Sequence, residues 1–248
     1  SHGPASIVTA NNVFAHADDL VGIVDGVRAL LETNGVFVFE VSYGLDVHEK
    51  TLFDTIYHEH VFYFTLTSLE PLVARHGLRI TRVERTPMHG GSLRIFVRHD
   101  SHTADETVAV FREEEAQLGV GSPIFYGNFA SRAEVIRDQI HAQLGDLKVK
   151  GQRVAAYGAA AKGSTLLNFC GLTAADLEFV AERSQYKQGK LMPGAHIPII
   201  PNEELANRAP AVTLLLAWNF ADEILVQQSA YREAGGQFLI PIPEVRLV

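Results

Sequence analysis

The run VFVFEV at residues 36–41 is apolar, rich in β-branched and aromatic side chains, and bounded by glycines, which is typical of a buried strand. SIVTA at residues 6–10 is a second, shorter run of strand type. Between the two, Asp18 and Asp19 can cap a helix that runs to about Glu32. A strand, a helix and a strand with short connections predict a βαβ unit, in which the strands are parallel.

The C-terminal part of the chain also alternates between strand-type and helix-type segments. Apolar runs lie near residues 155, 179, 214 and 240, with helical patterns between them, and this predicts a small Rossmann-like sheet. The intervening residues 46–150 predict a helix capped by Thr67, a hairpin-like pair of strands and two further helices. The predicted fold class is therefore α/β.

The composition is that of a globular protein without a membrane span. The chain has 248 residues, 47% of them hydrophobic, and a formal net charge of -8 at pH 7. An acidic surface argues against non-specific nucleic-acid binding, which needs a basic face. No apolar run reaches the length of a spanning helix, so we predict no membrane partner. Cys170 is the single cysteine, which excludes an internal disulfide and indicates a reducing compartment such as the cytoplasm.

The cluster Tyr57-His58-Glu59-His60 offers two imidazoles, a carboxylate and a phenol. An imidazole can take up a proton at neutral pH, and a neighbouring carboxylate can fix its tautomer. The cluster could instead be a metal site, although the spacing shows no further ligand, or a solvated loop. An extended chain would place His58 and His60 on one face, whereas a helix would bring Tyr57 next to His60. The sequence leaves these alternatives open.

Three polar residues follow the first predicted strand. Asn11, Asn12 and His16 lie between that strand and a helix, at the carboxyl edge where open α/β sheets bind ligands. Asparagine side chains at this position can contact a cofactor or cap a turn, and both interpretations stay open. His16 is less easily explained as a cap.

The turn GAAAKGS at residues 158–164 joins a predicted strand to a helix. Small residues at this point expose backbone N–H groups to an anion, the helix dipole favours negative charge, and Lys162 adds a positive charge. The pattern matches neither the dinucleotide nor the nucleoside-triphosphate loop motif, so a tight turn without a ligand is the alternative. Lys187, Lys190 and Asn219 follow other strands of the same sheet, and we expect the lysines to converge on one pyrophosphate.

Six blocks in sequence order resemble the S-adenosylmethionine-dependent sugar C-methyltransferases of deoxysugar biosynthesis. The blocks are NVFAH (12–16), YHEHVFYF (57–64), HGGSLR (89–94), YGAAAKGS (157–164), PG (193–194) and AWNF (217–220), and they cover nearly the whole chain. The resemblance implies transfer of a methyl group to C-3 of a nucleotide-linked 4-keto-deoxysugar. It also implies a class I methyltransferase sheet followed by a Rossmann-like domain.

The resemblance assigns catalytic roles. His60 resembles the general base that removes the C-3 proton, Tyr57 and Glu59 resemble the residues that position it and the enolate, and His16 resembles a histidine of the same pocket. The residue types suit the chemistry, because a ketone acidifies the adjacent C–H bond and a donor near the keto oxygen stabilises the enolate.

The remaining assignments concern binding. Asn11 and Asn12 are predicted to contact S-adenosylmethionine, and no metal is predicted in this chain. The predicted partner is a nucleotide diphosphate sugar, whose binding residues are Gly158, Lys162, Ser164, Lys187, Asn219 and His89. The sugar, the nucleotide base and the oligomeric state are not predicted.

The domains expected from the resemblance divide the chain by function. Residues 1–45 are the C-terminal part of an S-adenosylmethionine-binding domain, residues 46–150 a catalytic and linking segment, and residues 151–248 a Rossmann-like sugar-nucleotide-binding domain. The family's zinc-binding cysteines and its glycine-rich donor loop do not occur in this sequence. We therefore expect a fragment that binds the methyl donor poorly and is inactive or very weak alone, with zinc only in the absent N-terminal region.

Two other functions compete with this interpretation. A non-catalytic nucleotide-binding Rossmann module would explain residues 152–248, although the glycine motif of dinucleotide sites is missing. A metal-dependent hydrolase could use His58, Glu59 and His60 as ligands.

Overall fold

The computed structural model describes residues 3–248, and these form two compact units. The first unit runs to Lys50 and resumes over His58–Phe129, and the second consists of Thr51–Tyr57 with Ala130–Val248. The chain thus enters the second unit for seven residues just before His58 and then returns to the first. The predicted boundaries after residues 45 and 150 stay predictions. They divide the chain by function, whereas the two compact units are defined by the contacts within each of them.

The first unit is a mixed sheet with helices. Its elements are β1 (Ala5–Asn11), α1 (Leu20–Leu30), β2 (Leu31–Ser42), α2 (Gly44–Glu49), α3 (Leu66–Ala74), β3 (Leu78–Thr86), β4 (Ser92–His99) and α4 (Glu106–Leu118). The strand order is β1-β2-β4-β3. β1 and β2 are parallel, as the βαβ pattern predicts, and β4 is antiparallel to both of its neighbours.

The helix that follows β1 ends earlier than the sequence predicts. α1 stops at Leu30, and β2 begins at once with Leu31, which is buried and pairs with Ala5. Burial of Leu31 in the sheet outweighs continuation of the helix to Glu32. The prediction of an α/β fold is confirmed, and the strand arrangement agrees with the expected part of a class I methyltransferase sheet.

Aromatic packing fixes the segment that follows β1. Phe14 is buried, and its ring centroid lies 4.8 Å from that of Phe39 on β2 and 5.5 Å from that of Phe64. Burial of a large aromatic ring stabilises the folded chain by about 1.5–3 kcal/mol. The 3-10 turn Phe14–His16 is therefore held against the sheet, with His16 on its exposed side.

A buried carboxylate joins two helices of the first unit. Glu115 on α4 accepts hydrogen bonds from the backbone N–H groups of Leu66 (2.7 Å) and Thr67 (2.8 Å) and from the hydroxyl of Tyr43 (3.0 Å). The first N–H groups of a helix have no partner inside it, so Glu115 satisfies two of them for α3. The prediction that Thr67 caps this helix is wrong: Thr65 is the cap, and the Thr67 hydroxyl donates to Glu115.

The second unit is built on a largely parallel sheet. Its elements, in chain order, are α5 (Phe129–Val149), β5 (Val154–Tyr157), α6 (Ala161–Phe169), β6 (Val180–Glu182), β7 (Ile199–Pro201), α7 (Glu204–Arg208), β8 (Val212–Leu215), α8 (Ala221–Gln227), α9 (Ser229–Glu233), β9 (Gln237–Ile240) and β10 (Arg246–Leu247). The strand order is β10-β9-β8-β5-β6-β7, with β10 antiparallel to β9 and the other neighbours parallel.

This order is that of a doubly wound sheet, 3-2-1-4-5-6 when its strands are numbered from β5. The chain runs outward from β5 to β7 and then returns to β8 on the other side of β5. The direction of winding therefore reverses between β5 and β8, and the crevice at their carboxyl ends is where such sheets bind ligands. Among the helices of residues 3–248, none is long and apolar enough to cross a membrane.

Candidate functional site

In the first unit, the histidine cluster forms a turn rather than a helix or a strand. The ring of His60 lies 4.9 Å from that of His16, edge to face, and 6.1 Å from that of Tyr63. The backbone N–H of Val61 donates a 3.1 Å hydrogen bond to the carbonyl of Ala15, which attaches the turn to the segment after β1. The structure thus brings together His16 and His60, two of the predicted catalytic residues.

The neighbouring histidine has a different environment. His58 is 90% exposed, and its Nε2 lies 4.0 Å from a carboxylate oxygen of Glu59, which is 57% exposed. Such an exposed pair contributes little to stability. Tyr57 groups with the second unit by its contacts, whereas His58 and the residues after it group with the first. Within residues 3–248, no three histidine, cysteine, aspartate or glutamate side chains are grouped so that they could hold a metal.

The two asparagines lie at the carboxyl end of β1. Asn11 is the last residue of the strand and pairs with Glu40, and the N–H of Asn12 donates to the carbonyl of Glu40 over 2.9 Å. Asn12 has φ of 53°, in the left-handed region where asparagine is common in turns. Its backbone therefore ends the strand, and the exposed side chain of Asn11 stays available for a ligand.

The second unit has a cavity of about 330 Å³ at the carboxyl ends of β5, β6 and β8. Its lining residues are Tyr157, Gly158, Ala160, Glu182, Arg183, Lys187, Ala217, Phe220, Glu223 and Ile224. The cavity lies where the winding of the sheet reverses, and its size is in the range of small-molecule sites. Two of the predicted substrate residues, Gly158 and Lys187, thus line one cavity.

The turn after β5 is held by one side chain at the end of β6, Glu182, and by one that follows the strand, Lys187. Glu182 accepts a 2.6 Å hydrogen bond from the N–H of Ala159 and a 2.8 Å bond from the N–H of Ser184, and Lys187 donates over 2.7 Å to the carbonyl of Ala159. In dinucleotide sites an acidic residue after the second strand binds the ribose. Here that carboxylate is occupied by the protein backbone, which gives no support to the dinucleotide-binding alternative.

Lys162 stands at the start of α6, where it faces an aromatic ring and a carboxylate. Its Nζ lies 4.4 Å from the ring centroid of Trp218, and the indole N–H of Trp218 donates a 2.6 Å hydrogen bond to Asp54. Burial lowers the pKa of Lys162 to about 8, against the attraction of Asp54. Burial raises the pKa of Asp54 to about 6, against the attraction of Lys162 and the bond from Trp218. Both groups are therefore charged between about pH 6 and pH 8.

The other predicted substrate residues differ in burial and in hydrogen bonding. Asn219 follows Trp218, and both amide atoms of its side chain are buried without a hydrogen-bond partner in the described chain. Buried polar groups are nearly always paired, so this amide is suited to a ligand. Ser164 is half-buried on α6. His89 is exposed in the turn between β3 and β4 of the first unit, with φ of 55°.

Some side chains at these places escaped the sequence prediction. Asp54 was missed, although a lone carboxylate inside the apolar run LFDTI is a signal for a buried partner. Arg183 and Phe220 also line the cavity, after β6 and β8, and neither is among the predicted substrate residues, although both follow predicted strands.

Comparison with known proteins identifies the family of the chain. Residues 87–243 match the family described as the C-methyltransferase C-terminal domain, which is more than half of the chain. The chain belongs to the C-methyltransferase family. Residues 1–83 match a second family, described as a methyltransferase domain.

One relative in this family is the C-methyltransferase NovU of Streptomyces niveus. It is 40% identical over 249 residues, which is 100% of this chain and 59% of NovU. The chain thus spans about three-fifths of the length of that relative.

Solved structures show only weak likeness. The O-methyltransferase NcsB1 of neocarzinostatin biosynthesis, in complex with S-adenosylhomocysteine and 1,4-dihydroxy-2-naphthoic acid, gives a TM-score of 0.32 at 19% identity, over 40% of this chain and 30% of NcsB1. A pericyclic reaction enzyme gives 0.34 at 12% identity, over 39% of this chain and 27% of that one.

Proposed function

We propose that this chain serves the S-adenosylmethionine-dependent C-methylation of a nucleotide-linked 4-keto-deoxysugar. Membership of the C-methyltransferase family supports the reaction type. The observation that carries the proposal is the placement of His60 against His16 at the carboxyl end of β1, because a C-methylation beside a ketone needs a base for a C–H proton.

His60 is the proposed general base. Its ring is half-buried, so its orientation is held by the protein while one face can meet a ligand. It takes the proton from C-3 of the sugar, and the electron pair of that C–H bond passes into the enolate of the neighbouring ketone. His16 lies edge-on to His60 and limits the positions that the base can adopt. Tyr57 and Glu59 are proposed, from the family resemblance, to position the base and the enolate.

When bound, S-adenosylmethionine would supply the methyl group to C-3: the C–CH3 bond would form as the S–CH3 bond breaks, and S-adenosylhomocysteine would leave. The residues at the end of β1 fit part of such a molecule: the amide of Asn11 is exposed and can both donate and accept hydrogen bonds. Asn12 ends the strand and turns the chain next to it. We assign these two residues to contact with the polar edges of the donor.

The second unit is proposed to bind the nucleotide diphosphate of the sugar. Gly158 and Lys187 line the cavity where the sheet reverses, and Arg183 adds a second cation there. Phe220 presents an aromatic side chain in the same cavity, which suits the flat face of a base. Lys162 and the unpaired amide of Asn219 lie at the ends of β5 and β8 and offer further donors. Ser164 and His89 stay predicted contacts of the substrate.

Product analysis tests this function. The protein is produced at the length of its relative NovU, of which this chain spans about three-fifths, and is incubated with methyl-labelled S-adenosylmethionine and a thymidine-diphosphate-linked 4-keto-deoxysugar. The product is examined by NMR. We expect the label on the carbon next to the ketone, and no label on a matched sugar in which the ketone is reduced to an alcohol. A label on an oxygen atom, or equal labelling of the reduced sugar, would contradict the proposal.

A further inference from the structure

The short turn that carries Asp54 packs against α6, the helix that carries Lys162. Asp54 lies in the 3-10 turn Phe53–Thr55 and is fully buried. The ring of Phe53 lies 4.7 Å from that of Phe169 at the end of α6, and the Thr55 hydroxyl donates a 2.7 Å hydrogen bond to Leu52 within the turn. These contacts hold the turn without using the carboxylate, which leaves Asp54 for another role.

Trp218 connects this carboxylate to the ammonium group. Its indole N–H donates to Asp54, and the face of the same ring lies under Lys162. An indole attracts a cation through the electron density of its ring, and a carboxylate bound to the N–H increases that density. Carboxylate, indole and ammonium therefore form one connected group, drawn from three separate parts of the sequence.

Burial of the charges of Asp54 and Lys162 costs free energy on folding. A buried ion pair does not usually recover the loss of hydration of both charges, and the second oxygen of Asp54 accepts no hydrogen bond from another described residue. The direction of both pKa changes agrees with this, because burial disfavours the charged form of each group. Charged groups that cost stability in this way are concentrated at functional sites.

We infer that Asp54 is a positioning residue: through Trp218 it holds Lys162 in place and protonated as the cation that meets the diphosphate of the substrate. This inference rests on the proposed function, and it adds a residue that is not itself expected to touch the ligand. Burial favours loss of the Lys162 proton, and the negative charge of Asp54 opposes that loss.

Neighbouring charges do not substitute for Asp54. The carboxylate at the end of β6, Glu182, accepts hydrogen bonds from the N–H groups of Ala159 and Ser184, and the ammonium of Lys187 donates to the carbonyl of Ala159. Asp54 is the charged group that acts on Lys162, from the turn packed against α6, and Lys162 is the charged group that acts on Asp54. Replacement of Asp54 by asparagine should therefore leave Lys162 without a counter-charge.

The test measures the protonation of Lys162 and the binding of thymidine diphosphate together. Lysine labelled at Cε reports the Lys162 pKa by NMR, with the signal assigned from a Lys162→Arg spectrum, and calorimetry gives the affinity between pH 6 and pH 8.5. In Asp54→Asn we expect the Lys162 pKa to fall by about one unit or more. Affinity should be almost unchanged at pH 6 and weaker by about fivefold or more at pH 8, since one pKa unit is a tenfold change in protonation.

Two further variants separate positioning from folding. Arginine stays charged over this pH range. The double variant Asp54→Asn with Lys162→Arg should therefore lack the extra loss of affinity between pH 6 and pH 8 that Asp54→Asn alone shows. Asp222→Asn, an exposed carboxylate on α8, should change neither quantity. An unchanged Lys162 pKa, or a loss of affinity that is equal at every pH, overturns the role of Asp54 and leaves the proposed site intact. A wild-type protein that does not bind thymidine diphosphate at any pH overturns the proposed site and this inference with it.

Discussion

The indole N–H of Trp218 donates a hydrogen bond of 2.6 Å to the carboxylate of Asp54, although the two residues are 164 positions apart in the chain. Asp54 precedes the cluster that begins at Tyr57 by three residues, and Trp218 follows β8 in the second unit. The hydrogen bond thus joins the segment before the predicted catalytic cluster to the carboxyl edge of the second sheet.

The first prediction concerns pH and stability. The pKa of Asp54 in the folded protein is about 6, above its ordinary value of 3.8, so the folded state binds this proton more tightly than the unfolded state does. The stability contributed by Asp54 therefore rises as the pH falls through 6. Relative to Asp54→Asn, the wild type should gain about 1 kcal/mol of unfolding free energy between pH 7 and pH 5.

Urea unfolding followed by tryptophan fluorescence measures this difference, because Trp218 is the single tryptophan of the sequence. Asp222→Asn is the matched exposed control and should show no pH-dependent difference from the wild type. A difference between wild type and Asp54→Asn that stays constant from pH 7 to pH 5 would count against a raised pKa.

The second prediction concerns Glu115. Replacement by alanine removes the acceptor of two helix N–H groups and of the Tyr43 hydroxyl. These three donors are buried or partly buried. Each unpaired buried donor costs about 1–3 kcal/mol, so Glu115→Ala should destabilise the first unit by about 3 kcal/mol or more. Circular dichroism during urea unfolding measures the effect. Glu113→Ala, an exposed change on the same helix, should cost less than about 0.5 kcal/mol; equal losses would show that Glu115 is not the acceptor described.

The third prediction concerns the close approach of two strand ends. Gly158 has φ of 93°, and a Cβ there would lie 2.7 Å from the Cβ of Ala217. Gly158→Ala should therefore push apart the ends of β5 and β8 and weaken binding of thymidine diphosphate by about tenfold, as well as destabilising the second unit by about 2 kcal/mol.

Gly171→Ala is the control for backbone strain. Gly171 has φ of 64°, but a Cβ added there meets no atom within 4 Å. This variant should lose about 1 kcal/mol of stability from strain and bind thymidine diphosphate normally. If Gly158→Ala behaved in the same way as Gly171→Ala, the contact with Ala217 would have no effect on the site.

Much of the architecture could be predicted from the sequence because its signals are local. The apolar runs around Phe37 and Leu214 indicate strands with parallel neighbours, and the polar residues that follow these strands mark the carboxyl edges of the two sheets. The positions of Gly158 and Lys187 at one cavity follow from the same reasoning, since strands of a parallel sheet end at a common edge.

The remaining features depend on contacts between distant residues. Nothing next to Asp54 in the sequence indicates that it binds Trp218, and nothing next to Thr67 indicates that Glu115 accepts from its backbone. The turn that brings His60 to His16 was also left open between helix and strand, because the hydrogen bond from Val61 to Ala15 that fixes it joins two separate segments. Long-range partners of this kind override local preference.

The most direct test of the proposed chemistry follows deprotonation alone, without the methyl donor. A thymidine-diphosphate-linked 4-keto-deoxysugar is incubated with the protein in deuterated buffer, and the loss of the C-3 proton signal is recorded by NMR. We expect the protein to accelerate this exchange above the buffer rate, His60→Gln to reduce the acceleration by about a hundredfold, and His58→Gln, a change of the exposed neighbour, to leave it nearly intact. Exchange that proceeds equally in wild type and His60→Gln, or that depends on His58 instead, would contradict the assignment of the base.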